Sequence, residues 1–308
     1  MADRILQYIV VLIASSAVIF ILVRMNPADP VAVILGGRQT NPQTVANIRR
    51  EFNLDKSYFE QYRAWIGGIL RGDFGVSFRY RRPVTALVKD RVPVTAGIVI
   101  MSAVISVLVA IPTGIFAALK RNTWIDTGIS LIQLLLVACP PFLTSILMIW
   151  AITAVAPTFP FVGSYDTFWQ FLRRIFLPSL ALSFSMIALT SRVTRSCMMD
   201  QLQANYRTVA VSKGLPPSAV IFRHCLKNAI IPVITVLGSQ SGILIVGSVL
   251  VEKVFSLAGL GSVLIDAIKA SDYPIVQGVT MLLVFVFMTI SAILDIAYCV
   301  IDPRIRLT

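Results

Sequence analysis

Residues 94–119 read VTAGIVIMSAVISVLVAIPTGIFAAL, a run without a single charged side chain. An α-helix rises about 1.5 Å per residue, so about 20 such residues cross the ~30 Å hydrocarbon core of a bilayer. Lipid offers a bare backbone amide no hydrogen-bond partner, so a run of this kind satisfies its backbone internally, as a helix. Working outward, comparable windows recur at Ile5–Val23, Thr127–Val155, Leu177–Ser191 (helical through Arg195), Ile230–Val251 and Ile275–Ile301. With 56% apolar and 14% charged residues distributed in this way, the pattern predicts an all-α polytopic membrane protein with six spans.

The segments between the spans have distinct characters. Ile5–Val23 sits where a signal peptide would, but it is long for one, and Arg24-Met25-Asn26-Pro27 follows in place of a small-residue cleavage pattern. It reads as an uncleaved first helix, residues 1–25. Residues 26–93 form a polar segment with helical stretches at Pro42–Phe52 and Ser57–Leu70, a Gly-Asp-Phe-Gly turn at 72–75 and a basic run at 79–82. Residues 94–301 hold the other five spans and 302–308 a short tail. Pro140-Pro141 falls in the middle of the third span, where it removes backbone donors and must kink or break the helix.

The net charge of +12 does not mark a nucleic-acid binder, because 11 of the 27 Lys and Arg lie in 26–93 and most others flank spans. Flanking cations orient spans and touch anionic headgroups. With a cytoplasmic N-terminus the short inner segments hold eleven basic residues: Arg4, Lys120, Arg121, six in 192–228, Arg304 and Arg306. The outer ones hold four: Arg173, Arg174, Lys253 and Lys269. The bias predicts both termini cytoplasmic and 26–93 outside. Cys139, Cys197, Cys225 and Cys299 lie in spans or on the predicted cytoplasmic side, so free thiols are expected, and their spacing fits no zinc site.

The longest polar interruption on the inner side is Asn205–Pro232, NYRTVAVSKGLPPSAVIFRHCLKNAIIP. Tyr206–Lys213 can form a short helix that Gly214 ends, since glycine takes the left-handed conformation cheaply. Pro216-Pro217 forbids continuation, and Ser218 can cap a second helix with Ala219, Phe222, Leu226 and Ile230 as its apolar stripe. The reading is a compact elbow shaped to meet another protein. An ordinary loop with incidental Gly and Pro has the same composition.

Several stretches, in this order, resemble one family: Gly72-Asp73-Phe74-Gly75-x-Ser77, Arg91-x-Pro93-x-Thr95, Gly114 with Ala117-Ala118, Pro141, the 206–232 loop, Glu252-x-x-Phe255, Gly259-x-Gly261, Asp272-Tyr273-Pro274-x-x-Gln277-Gly278, and Asp302-Pro303-Arg304-x-Arg306. They are similar to permease subunits of dipeptide/oligopeptide-type ATP-binding-cassette importers. The chain departs from the family pattern at Thr208, Val209, Lys227, Ala258 and Ser271. The resemblance implies the type I importer permease fold, with residues 196–229 as an ATPase-coupling loop in which Tyr206, Thr208, Ala210, Lys213, Gly214, Leu215, Arg223, His224 and Asn228 are the candidate contacts. It implies pairing with a second homologous permease as a heterodimer, two P-loop ATPase subunits that carry ATP and Mg, and an extracytoplasmic substrate-binding protein. That protein would meet Asp73, Arg81, Arg82, Glu252, Phe255, Asp272 and Tyr273, which would gate the outer mouth. Peptide, nickel chelate or glutathione would be the solute.

The chain has no Gly-x4-Gly-Lys-Ser/Thr loop, and one histidine, His224, which reads as a hydrogen-bonding or packing residue. No cofactor, metal or catalytic residue is therefore expected in it. Candidates for the translocation path are Gln133, Ser145, Ser239, Gln240, Ser241 and Asp295. Amides and carboxylates are expensive in lipid and belong in a bundle interior, whereas membrane hydroxyls more often bond a helix backbone. A secondary transporter would call for inverted repeats and intramembrane charge pairs, neither of which is clear here. A membrane-embedded enzyme would call for a set of catalytic groups at membrane depth that one loop histidine does not supply.

Overall fold

The computed structural model describes residues 2–25, 30–35, 41–156 and 166–301; within these, the side chains of 2–5, 295 and 297–301 are left aside. The described elements are helical: α1 (Ala2–Arg24), α2 (Pro30–Leu35), α3 (Pro42–Glu51), α4 (Tyr58–Leu70), α5 (Val84–Leu119), α6 (Trp124–Ala138), α7 (Pro141–Val155), α8 (Phe168–Gln203), α9 (Asn205–Ser212), α10 (Pro217–Ala219), a π-helical turn Val220–Cys225, α11 (Leu226–Val254), α12 (Leu260–Lys269) and α13 (Tyr273–Ile301). Five helices are long and apolar enough to cross a bilayer, and a sixth crossing results if α6 and α7 together make one span. The six-span expectation thus rests on α6 and α7. Cys139 and Pro140 separate them and their axes meet at 106°. At about 22 Å each, neither half crosses a bilayer alone.

The chain divides into two compact units, 1–95 with 258–288 and 96–257 with 289–307. In the first, helix starts follow from their caps. The Asn41 side chain accepts from the Gln43 N–H ahead of Pro42 at the first helical position of α3. Ser57 and Glu60 form a capping box on α4, and the Ser57 hydroxyl and N–H hold the Glu60 carboxyl below the usual carboxylate range. α3 and α4 stop in Schellman turns, with Asn53 and Gly72 in the left-handed region. Aromatic contacts join the pieces: Phe20 with Tyr62 and Trp65, and Phe78 with Phe52 and Tyr273.

The compact units part at 95/96, close to the border expected at Pro93, but no helix starts there. α5 starts at Val84, and its 36 residues run through both Pro93 and Pro112. At about 54 Å the helix exceeds the hydrocarbon thickness, so Lys89, Asp90 and Arg91 can lie in its polar first turns.

In the second unit α5 and α8 cross along a seam of small residues. Ile98, Ser102, Ser106, Ala110 and Ala117 are fully buried on α5. Ser102 Oγ donates to both Ile98 O and Ser179 O (2.7 and 2.9 Å), and Ser179 Oγ donates back to Ile98 O (3.2 Å). At Gly114 a Cβ would stand 2.6 Å from Ser191 O and 2.6 Å from Thr194 Cβ, so only glycine allows this approach. Small residues let membrane helices close to van der Waals contact, which drives association where lipid gives no hydrophobic incentive.

Candidate functional site

The elbow begins where α8 ends. α9 terminates in a Schellman turn: Gly214 N–H donates to Val211 O (2.9 Å), and Leu215 N–H reaches Ala210 O (3.4 Å). Gly214 has φ +75° with nothing within 4 Å of a virtual Cβ, so glycine is there for its backbone conformation and not for space. The second helix starts at Pro217 with Pro216 as its N-cap and no side-chain cap bond, which corrects the expectation that Ser218 caps it. Its stripe also differs. Ala219 is half-buried and Phe222 is 60% exposed, whereas Val220, Cys225, Ala229 and Val233 are the buried positions. The π-helical turn Val220–Cys225 supplies the reason, because it spends one extra residue per turn and moves the inward face along the chain.

The inner side of the elbow is well anchored. Ala210, Val220, Cys225 and Ala229 form one core with Ile115, Ala118 and Met198. Tyr206 donates to Gln201 Oε1 (2.7 Å) and the Cys225 thiol donates to Gln201 O (3.7 Å). Burial raises the Tyr206 hydroxyl above its ordinary value, against a lowering hydrogen bond with Asn228. The outer side is open. Val209 and Val211 are each 54% exposed, Leu215 and Phe222 add apolar surface, and Thr208, Lys213, Arg223 and Asn228 lie exposed among them. His224 is half-buried in the π turn. Exposed apolar surface framed by polar groups on a firmly packed turn suits protein contact.

The path candidates separate by chemistry. Gln133 is buried on α6 and its Nε2 donates to Ser191 Oγ (2.8 Å), which also pairs with Thr113 Oγ1 (2.9 Å). Ser145 is fully buried and donates to Pro141 O of its own helix (2.7 Å). On α11, Ser239 Oγ donates to Val236 O and Ser241 Oγ to Gly238 O (3.0 and 2.7 Å); Ser239 is exposed, Gln240 and Ser241 half-buried. The side chain of Asp295 lies outside the described residues. Sequence reasoning missed one feature: Arg195 Nε and Nη2 fork onto the two oxygens of Asp126 at 2.6 and 2.7 Å. The Asn122 N–H adds a third bond to that carboxylate. A charge pair thus does tie α6 to α8, at the first turn of α6. An acid just after a polar Asn122-Thr123 turn, and an arginine at the edge of an apolar run, were the available signals.

Of the seven residues expected at an outer mouth, four are internal. Glu252 and Asp272 are fully buried, Phe255 and Tyr273 nearly so. Asp272 accepts from Ser77 Oγ (2.5 Å), Arg79 N–H (3.0 Å) and Phe78 N–H (3.2 Å), so one carboxylate holds a turn 195 residues earlier in the chain. A carboxylate fully buried and engaged in this way presents no surface to a partner, which corrects its assignment as a surface contact. Tyr273 stacks beside Phe78 and under the Arg24 guanidinium. Arg82 and Asp73 are exposed; Arg81 is exposed at the backbone turn it makes with φ +52°, and donates to Ile34 O (3.2 Å). The sequence stretches that suggested a family meet in pairs within this first unit. Phe74 and Val84 pack on Gly278, where a Cβ would stand 3.2 Å from each, and Thr95 Oγ1 accepts from Leu260 N–H (2.8 Å).

Among the described residues no group of three His, Cys, Asp or Glu side chains could hold a metal ion. Comparison with known proteins extends over nearly the whole chain. Residues 110–307 match the family described as binding-protein-dependent transport system inner membrane component, and residues 1–99 match the N-terminal module of such components. A Brucella abortus (strain 2308) protein named as a peptide transport system permease is 35% identical over 306 residues, 98% of this chain and 97% of its own. A Sinorhizobium fredii protein named as a peptide ABC transporter permease is 35% identical over 307 residues, with the same coverage. The glutathione transport system permease protein GsiC of Escherichia coli (strain K12) is 35% identical over 303 residues, again 98% and 97%. With its helical spans and these matches, the chain belongs to the inner-membrane permease components of binding-protein-dependent ABC transport systems.

Proposed function

We propose that this permease imports short peptides, pairing with a second homologous permease to form the path, with two separate P-loop ATPases docking on the elbows of the pair. The ATPases hold ATP and Mg; this chain performs no chemistry of its own. Both termini and the elbow face the cytoplasm of a bacterium, and a binding protein delivers peptide to the opposite face. The observation that carries the reading is the two-sided elbow: a core-anchored inner face and an open apolar outer face of Val209, Val211 and Phe222. Closure of the ATPase pair would move the elbows and bias the permeases between inward-open and outward-open states. Glutathione is itself a short peptide, and the 35% identity to a glutathione permease keeps it within the proposed solute class. The amide of Gln240 and the hydroxyls of Ser239 and Ser241 are the proposed path contacts.

The test is co-purification from the native membrane, followed by ATPase assay with and without peptide and binding protein. P-loop ATPases should accompany the wild type. Gly214→Pro, which cannot adopt φ +75°, should lose them or lose peptide stimulation. Uptake that follows an ion gradient, with no associated ATPase, would sink the proposal.

A further inference from the structure

Tyr62 of α4 reaches far down the side of α1. Its Oη pairs with Ser16 Oγ at 2.8 Å, and Ser16 Oγ in turn donates to Ile13 O (2.7 Å). Ser16 is 2% exposed and sits eight residues before Arg24, about 12 Å along the helix axis. The apolar window of α1, Leu6–Arg24, is 19 residues long, so it has no length to spare and Arg24 marks its interfacial end. A side chain of α4 therefore pairs with a hydroxyl well below the headgroups, and the helix that carries it lies at their level.

Three contacts fix which way the faces of α4 point. Gln61 lines a cavity together with Arg24, Trp65 packs on Phe20, and Tyr62 packs on Phe20 and bonds Ser16. At about 100° per residue the order around the helix is Gln61, Trp65, Tyr62, and turning in that sense descends α1 from its interfacial end toward the bilayer interior. The same sense leads next to Ile66, Phe59 and Leu70, about 40°, 60° and 80° beyond Tyr62. Phe59 is 74% and Leu70 82% exposed, and Ile66 is partly so. Ala64, also exposed, lies on the other side of the helix, next to Gln61. Single apolar side chains on a surface are ordinary; a stripe about three turns long on the side turned toward lipid is not.

We infer that α4 is a membrane-surface helix, lying in the headgroup layer of the leaflet at the Arg24 end of α1 with Phe59, Ile66 and Leu70 inserted among the acyl chains. Helices of this kind bury their apolar face about 5–10 Å below the headgroup boundary. Tyrosine and tryptophan, here Tyr58, Tyr62 and Trp65, are enriched at that level. Arg63, at the edge of the stripe, has a stem long enough to return its guanidinium to the headgroups. The occupant of the stripe is the bilayer itself, because the bond to Ser16 sets the depth of α4 against a spanning helix. The inference rests on α1 crossing the membrane and not on the importer reading or its solute.

The test uses the full chain in phosphatidylcholine nanodiscs, where both faces of the bilayer are open to solution. Trp65→Phe, Trp124→Phe, Trp150→Phe and Trp169→Phe together remove all four native tryptophans. In that background Leu70→Trp and Phe59→Trp each put one reporter on the stripe, and Ala64→Trp puts one on the other side. Lipid brominated near the glycerol end of its acyl chains should remove at least about half of the emission at positions 59 and 70, and more than lipid brominated near the chain methyl. Aqueous iodide should remove less than about a tenth of it, and Ala64→Trp should show the reverse pattern. Iodide quenching at both stripe positions without a response to brominated lipid would mean a face held in water for a protein partner, and overturns the inference. Protection from both quenchers would mean that protein covers the stripe, a second copy of this chain included, and overturns it as well.

Discussion

The elbow of residues 205–229 and the junction of residues 72–79 with 272–278 are both stretches that resemble the same family, and they use their side chains in opposite ways. The junction turns its polar and aromatic groups inward: Asp272 satisfies three donors, Tyr273 packs on Phe78, and Gly278 yields space to Phe74. The elbow satisfies its backbone with a Schellman turn, buries its small residues, and leaves Val209, Val211 and Phe222 in the open. The difference teaches that a motif's role follows from where its apolar surface goes. A motif closed on itself holds the fold, and a motif with apolar surface left over awaits a partner.

The contrast can be broken by substitution. The largest loss of stability is expected from Asp272→Ala, which strands the Ser77 hydroxyl, the buried Phe78 N–H and the part-buried Arg79 N–H at a cost of roughly 3 kcal/mol or more. Thermal melting of the detergent-solubilised chain followed by size exclusion reads this directly. A melt close to wild type would show that the junction is no clamp. Gly114→Val comes next, because its Cβ meets Ser191 O and Thr194 within 2.6 Å. Overpacking of this kind costs about 1–3 kcal/mol, and Thr194→Ala, which keeps the Thr194 Cβ and the Ser191 carbonyl in place, should restore little of the lost melting temperature.

Gly214→Ala should cost only about 1 kcal/mol, the price of the left-handed conformation for a residue with a Cβ, since the space around it is open. A loss as great as that of Asp272→Ala would mean the elbow is a folding element. Smallest in stability is Phe222→Ser on the outer face, which should leave the melt within about 0.5 kcal/mol of wild type. Its effect should be on ATPase recovery in co-purification, and full recovery would remove Phe222 from the docking surface.

Much of this architecture was legible in the residues. Uncharged runs located the spans, Pro42 and Ser57 announced the starts of α3 and α4, and Gly72 and Gly214 announced their turns. The failures have physical causes. By sequence the second span starts just after Pro93, close to where the two units part, yet its helix starts at Val84, because a helix that outruns the bilayer has polar turns in which prolines and charges are tolerated. The elbow stripe was placed at helical spacing, and a π-helical turn, which leaves no mark in composition, displaced it onto Val220 and Cys225. Asp272 and Glu252 looked like surface acids because charge alone does not tell a buried, fully bonded carboxylate from a solvated one.

The helical path from Pro217 to Val254 is continuous for 38 residues, counting the π turn, or about 57 Å. No slack loop lies between the elbow's second helix and the fifth expected span. The π turn Val220–Cys225 and Pro232 are the two interruptions of its regular ladder, and both lie on the elbow side of the polar positions Ser239 and Gln240. Bending along this path is therefore confined to its first half, while Val233 and Gly238 are buried beyond Pro232.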